Sequence, residues 1–188
     1  MNIESEKLQV VFEKIVKIHS GQFRKANVVQ LPYAFHPMQV MLLLYDIGLS
    51  EAEYLYILFA CLGHDVLEDT DFTVEALTEL IGERAVSIVK ELTFISDKKG
   101  KEYQEEKKRH LYEFKSKSIE ALVIKVADRI CNVLDFMKTD KEYAKIYCGK
   151  AIGLWEAFES RLNEVGEFFG QDFAKALNTK VVFVRTLN

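Results

Sequence analysis

Apolar residues recur at helical spacing at Leu8, Val11, Phe12, Ile15, Val16 and Ile18, so the segment from Ser5 to His19 is expected to form an amphipathic helix ending near Gly21. From Gln22 to Phe35 no period is sustained and Pro32 intervenes, which predicts a loop. Pro37 suits the first turn of a second helix, PMQVMLLLYDI, and that start puts His36 at or beside the N-cap. Gly48 supplies the stop. Ser50 and Glu53 have the spacing of a capping box, and the helix that they introduce, AEYLYILFACLGHDVLEDT, is apolar nearly all round. Such a helix belongs at the centre of a domain, yet this one ends in imidazole and carboxylate groups.

Two shorter helices, near Val74–Ile81 and Glu83–Phe94, are expected to meet at Gly82. The charged stretch SDKKGKEYQEEKKR (96–109) reads as a solvated loop running into an exposed helix. Its functional alternative is a flap whose lysines and Arg109 meet substrate phosphates. Ser118 caps a long helix, IEALVIKVADRICNVLDFM, with Leu122, Val126, Ile130 and Val133 as its core stripe. Helices around Lys141–Val165 and Asp172–Leu187 complete an all-α bundle of about eight to ten helices. No repeat or linker divides it, so one domain over residues 1–188 is expected.

Composition narrows the picture. Hydrophobic residues make up 49% and charged ones 29%, which suits a globular chain, and only nine Gly and two Pro favour long helices. A net charge of -4 gives no general attraction to nucleic acid or to anionic membranes. Cys61, Cys131 and Cys148 form no CxxC pair and read as reduced thiols of a cytoplasmic protein. The N-terminal segment lacks the form of a signal peptide, and no apolar run approaches a membrane span.

Four residues stand out as candidate metal ligands. His64 and Asp65 are adjacent near the end of an apolar helix, where such groups are costly unless paired or bound to an ion. Asp128 interrupts another apolar helix, and His36 opens a third. Imidazoles and carboxylates without thiolate suit Mn²⁺, Fe²⁺ or Zn²⁺, and four protein donors leave an octahedral ion two open positions for water and substrate. Glu68 and Asp69 follow His64 and Asp65 by four residues, so a persistent helix would place both acids on the ligand face. Carboxylates there suit proton movement and the orientation of a water. Asn132, four residues after Asp128, can donate hydrogen bonds into the same pocket. Each residue alone has a duller reading: a buried histidine is usually a hydrogen-bonded core residue, and Asp128 can pair with Arg129 or Lys125. His19 and His110 are assigned no role in metal binding.

The segments HSGQFRK (19–25), PYAFHP (32–37), HDVLEDT (64–70) and KVADRICNV (125–133) resemble, in this order, the HD hydrolase domain of the RelA/SpoT family. In length the chain is similar to a stand-alone small alarmone hydrolase. The resemblance implies an all-α fold and removal of the 3′-pyrophosphate from guanosine tetra- and pentaphosphate, typically with Mn²⁺. It implies His36, His64, Asp65 and Asp128 as metal ligands and Glu68 and Asp69 as the acidic pair that positions and deprotonates the attacking water. Arg24, Lys25 and Asn132 match positions that contact the nucleotide. The expected partner is therefore a phosphorylated nucleotide, with neither nucleic acid nor membrane, and a homo-oligomer is compatible with the pattern. Some positions depart from the family: the ANVVQL loop is apolar, Leu31, Phe35 and Cys131 replace commoner residues, and Asp135 is expected to place negative charge near the nucleotide. These departures keep open other substrates for the same scaffold, namely adenosine alarmones, NADPH, nucleoside monophosphates or cyclic nucleotides. A separate class is a protein that binds a nucleotide without cleaving it, against which the ligand set and the acidic pair with Glu68 argue.

Overall fold

The computed structural model describes residues 3–24 and 30–186. Among them are twelve α-helices, one 3₁₀ turn and an isolated antiparallel bridge between Phe23 and Pro32. The fold is all-α, as the periodicity predicts. Internal contacts divide the chain into two units, Met1–Thr93 and Phe94–Asn188.

The first unit contains α1 (Ile3–Ile18), α2 (Phe35–Asp46), α3 (Glu51–Gly63), the single turn α4 (Val66–Asp69), α5 (Val74–Ile81) and α6 (Glu83–Leu92). Helix α3 is the central element, packing against α1, α2, α5 and α6. That placement follows from its composition: Ile57, Leu58, Ala60, Cys61 and Leu62 are all fully buried, with Phe59 partly so. Helix α1 turns Val11 and Ile15 inward, and α2 contributes Val40, Met41 and Leu44. Thr73 caps α5 through its hydroxyl, which accepts the Ala76 N–H. Gly82, at φ +85°, ends α5 and opens α6 in a conformation that side chains resist. The predicted loop is pinned on either side by Arg24 N–H to Leu31 O at 2.9 Å and Tyr33 N–H to Gln22 O at 2.9 Å.

Two local expectations change. Ser50 occupies the N-cap of α3 with extended backbone, but its hydroxyl makes no capping bond, and Tyr54 departs from helical geometry a turn later. The expected continuous helix through residue 70 also breaks: α3 stops at Gly63, and α4 is a separate turn with Asp65 as its N-cap.

The second unit comprises α7 (Gly100–Tyr112), the 3₁₀ turn Glu113–Lys115, α8 (Ile119–Thr139), α9 (Lys141–Gly149), α10 (Ile152–Ser160), α11 (Leu162–Phe169) and α12 (Gln171–Arg185). Its axis is α8, which packs against α9, α10, α11 and α12 and fully buries Leu122, Val126, Ile130 and Val133. The Ser118 hydroxyl accepts the Ala121 N–H and starts α8 as predicted. The expected helix from Lys141 to Val165 is instead three, interrupted after Gly149 and at Arg161. Arg161 has a structural use there: its guanidinium donates to the carbonyls of Phe114 and Lys117, tying the 3₁₀ segment to the start of α11. The three cysteines are free thiols and buried. No helix among the described residues is long and apolar enough to cross a membrane.

Candidate metal centre

His36, His64 and Asp65 come together in the first unit. His36 lies in the first turn of α2, two positions past the observed N-cap Ala34, and is 1% exposed. His64 is the C-cap of α3 and equally buried; Asp65 follows at φ -102°, ψ -4°. One potential ligand atom from each residue lies within 4.8 Å of the other two. Asp65 Oδ2 is 3.1 Å from His64 Nε2 and 3.8 Å from His36 Nε2. Donors about 2.1 Å from a single ion stand roughly 3 Å apart at adjacent positions and roughly 4.2 Å apart at opposite ones, and the two separations fall within that range.

The histidine tautomer also fits. His64 Nδ1–H donates to the Cys61 carbonyl at 2.7 Å, which leaves the lone pair of the ring on Nε2, the atom facing Asp65. The two imidazoles pack edge to face with centroids 5.2 Å apart. Buried imidazole nitrogens converging on a carboxylate oxygen are what a metal requires.

Tyr33 joins the cluster from the turn before α2. Its hydroxyl donates to Asp65 Oδ2 at 2.6 Å. Burial foremost, then the charge and hydrogen bonding of Asp65 and lastly of Asp69, hold the phenol far above the ordinary tyrosine range. It therefore remains a hydrogen-bond donor. No separate signal for this role is present in the sequence beyond a tyrosine three residues ahead of His36.

The acids beyond the candidate ligands occupy a different setting from the one predicted. Because α3 ends at Gly63, Glu68 and Asp69 are carried by α4 and not by a continuation of the helix that bears His64. Helix-like bonds from Glu68 N–H and Asp69 N–H to Asp65 O, at 3.2 and 2.9 Å, still fold this turn back onto Asp65. Both acids line a groove of about 660 Å³ together with Gln22, Thr70, Asp71 and Phe72. Glu68 is half-buried and Asp69 is exposed.

Asp128 belongs to the second unit, where it is buried on α8. Asn132 donates to its Oδ1, and Lys125 Nζ lies 3.1 Å from Oδ2. Of the two cations weighed as partners, Lys125 is the one in contact, while the Arg129 guanidinium stacks 4.1 Å from the centre of the Tyr147 ring. Asp135, expected to bring charge to the nucleotide, is 2% exposed and paired with Lys138 within α8 at 3.3 Å. His110 is a packing residue between Phe94 and Phe114, with Lys117 Nζ 3.1 Å from its Nδ1. The 96–109 segment forms a loop, braced by Ser96 donating to Glu106, that runs into α7. Arg24 is buried beside Tyr33, with its guanidinium 5.8 Å from the ring centre. Lys25 lies outside the described residues, as does most of the apolar loop after it.

Comparison with known proteins extends these observations. The chain is 32% identical over 161 residues to a guanosine-3′,5′-bis(diphosphate) 3′-pyrophosphohydrolase of Aquifex aeolicus, covering 80% of this chain and 22% of that protein. It is 34% identical over 134 residues to a GTP pyrophosphokinase of Myxococcus xanthus, covering 67% of this chain and 17% of that one. The chain thus spans about a fifth of the length of these curated relatives. A solved structure, described as a metazoan ortholog of SpoT that hydrolyzes ppGpp and plays a role in starvation responses, superposes with a TM-score of 0.73 at 23% identity. That match covers 97% of both chains and shows that the fold is shared. The family model for the HD domain matches residues 14–166, a span that holds His36, the His64–Asp65 pair and Asp128, and the chain belongs to that family.

Proposed function

We propose that this protein is a metal-dependent phosphohydrolase that removes the 3′-pyrophosphate from guanosine tetra- or pentaphosphate. The observation that carries the reading is the convergence of donor atoms from buried His36 and His64 and partly buried Asp65 within 4.8 Å, with His64 fixed in the metal-binding tautomer. The guanosine pyrophosphohydrolase named among the relatives supports the choice of substrate.

In this reading His36, His64 and Asp65 hold the ion, with Asp128 as fourth ligand on the strength of the KVADRICNV motif. A divalent cation bound there, Mn²⁺ in our proposal, supplies Lewis acidity toward the phosphate and acidifies water. Glu68 accepts the proton of the attacking water, and Asp69 holds Glu68 and the water in orientation. Arg24 and Lys25 offset phosphate charge, and Asn132 contributes a hydrogen bond to the nucleotide. Cleavage of the bond between phosphorus and the 3′-oxygen releases pyrophosphate and leaves a 3′-hydroxyl. We place the reaction in the cytoplasm, where such nucleotides occur.

The test is pyrophosphate release from guanosine tetraphosphate with Mn²⁺, comparing the wild type with Asp65→Ala. Release by the wild type alone is expected; no release from either removes the proposal. A second substrate class is favoured by one feature, the half-exposed Phe35 beside the ligand His36 where the family commonly has a polar residue. A panel of adenosine alarmones, NADPH, nucleoside monophosphates and cyclic nucleotides, read by released phosphate or pyrophosphate, separates these substrates.

A further inference from the structure

Around the clustered ligands lies a second set of contacts that the hydrolytic reading does not use. His19, at the end of α1, is 2% exposed. Its Nδ1 is 2.7 Å from Gln22 Oε1, and Gln22 Nε2 donates to the backbone carbonyl of Asp69 at 2.8 Å. The chain of donors has one consistent direction. A carbonyl can only accept, so the Gln22 amide nitrogen faces Asp69; its oxygen therefore faces His19, and His19 Nδ1 carries the proton. The same imidazole lies against the ring of Tyr33, centroids 4.9 Å apart and tilted by 35°. Tyr33 in turn donates its hydroxyl to Asp65.

We infer that His19, Gln22 and Tyr33 form a bracket of positioning residues, in which Tyr33 aims the Asp65 carboxylate at the metal and Gln22 fixes the turn bearing Glu68 and Asp69. The physical need is plain. Asp65 sits where α3 has already ended, so no regular helix holds its side chain, and a carboxylate free to rotate about χ1 and χ2 would lose its aim. A single hydrogen bond from a ring that is itself stacked removes most of that freedom. The Oδ2 atom has two lone pairs, so it can accept the phenol and face the cation together. On the other arm, a side-chain amide reaching 47 residues along the sequence pins the carbonyl of Asp69 to the end of α1. The acidic turn is then located relative to the ligands by a contact that does not involve its own carboxylates.

This inference rests on the metal site proposed above, and its test separates the two. Mn²⁺ alone is titrated into wild type, Tyr33→Phe and Gln22→Ala by calorimetry, and the metal-free proteins are compared by thermal melting. Tyr33→Phe keeps the ring against His19 and removes only the hydroxyl; Mn²⁺ affinity is expected to fall by about 10- to 100-fold, the usual effect of losing a hydrogen bond to a ligand. Saturating Mn²⁺ is then expected to restore much of its turnover. Gln22→Ala is expected to bind Mn²⁺ near the wild-type affinity but to turn over more slowly at unchanged KM, because only the acidic turn is loosened. If the wild type binds Mn²⁺ and Tyr33→Phe binds it equally, the role of Tyr33 is overturned. Loss of metal affinity in Gln22→Ala, or a rise in its KM without a fall in kcat, overturns the division between the two arms. Failure of the wild type to bind Mn²⁺ overturns the metal site itself. Should Tyr33→Phe not fold, the Mn²⁺ EPR spectrum of wild type carrying 3-fluorotyrosine decides the point, since an unchanged spectrum contradicts contact between the phenol and a ligand.

Discussion

Replacing Asp65 with alanine has two separable effects on stability, and their sizes follow from its contacts. Without metal, the substitution removes the acceptor for the partly buried Tyr33 hydroxyl, a bond of 2.6 Å. An unsatisfied buried donor costs about 1–3 kcal/mol. Asp69 also interacts with the same hydroxyl and can take over part of the bond, which favours the lower end, about 1 kcal/mol. In a chain of 188 residues that lowers the melting midpoint by roughly 2–4 °C. With metal the comparison is larger. An ion that binds only the folded protein stabilises it by about 2.7 kcal/mol at a hundredfold excess over Kd, or roughly 5–10 °C. Wild type is expected to show that rise with Mn²⁺, and Asp65→Ala to lose it, because one of the three clustered donors is gone. The assay is thermal melting with and without Mn²⁺ after chelator treatment. A variant that gains as many degrees from Mn²⁺ as the wild type would refute the assignment of Asp65 as a ligand.

Other substitutions address separate parts of the reading. Glu68→Gln keeps the shape of the side chain but removes the base, so turnover should fall by about 10²- to 10⁴-fold while Mn²⁺ still binds; a mild loss in a stopped assay of pyrophosphate release counts against a role in proton transfer. Arg161→Ala deprives the carbonyls of Phe114 and Lys117 of their shared donor, and urea unfolding should show a loss of about 2 kcal/mol. Gly63→Val forces a branched side chain against Ile81, whose Cδ1 already lies 3.1 Å from the position of an added Cβ, with Val89 and Leu77 behind it. Overpacking of this kind costs about 1–3 kcal/mol, and a wild-type urea midpoint would show that the close approach of α3 to its neighbours matters less than the geometry implies.

The helices were legible because burial writes itself into periodicity. The α8 stripe, the cap at Ser118 and the stop at Gly82 are local features, and each has a residue type suited to its task. The candidate site was legible for a different reason, the cost of placing His64 and Asp65 at the end of an apolar helix. What remained hidden depends on partners distant in sequence. Nothing near Gln22 indicates that its amide reaches Asp69, and nothing near Tyr33 names Asp65 as its acceptor. Asp135, buried within α8, is paired there with a lysine three residues later, a contact at ordinary helical spacing.

The break between α3 and α4 shows why the details of one turn decide the chemistry. In a regular helix, consecutive side chains diverge by about 100°, so an adjacent histidine and aspartate would face different directions. Here Gly63 ends the regular helix, His64 bonds back to Cys61 as its cap, and Asp65 adopts ψ near zero. The Nε2 and Oδ2 atoms of neighbours in sequence thereby come within 3.1 Å. The spacing argument of four residues, by which Glu68 and Asp69 would share a face with the ligands, assumed the continuous helix that this geometry gives up. Their proximity is recovered by the bonds from Glu68 and Asp69 N–H to Asp65 O and by the long reach of Gln22. Where the regular helix stops at Gly63, the contacts from the segment after α1 and from the turn before α2 replace the order that the helix no longer supplies to this candidate pair.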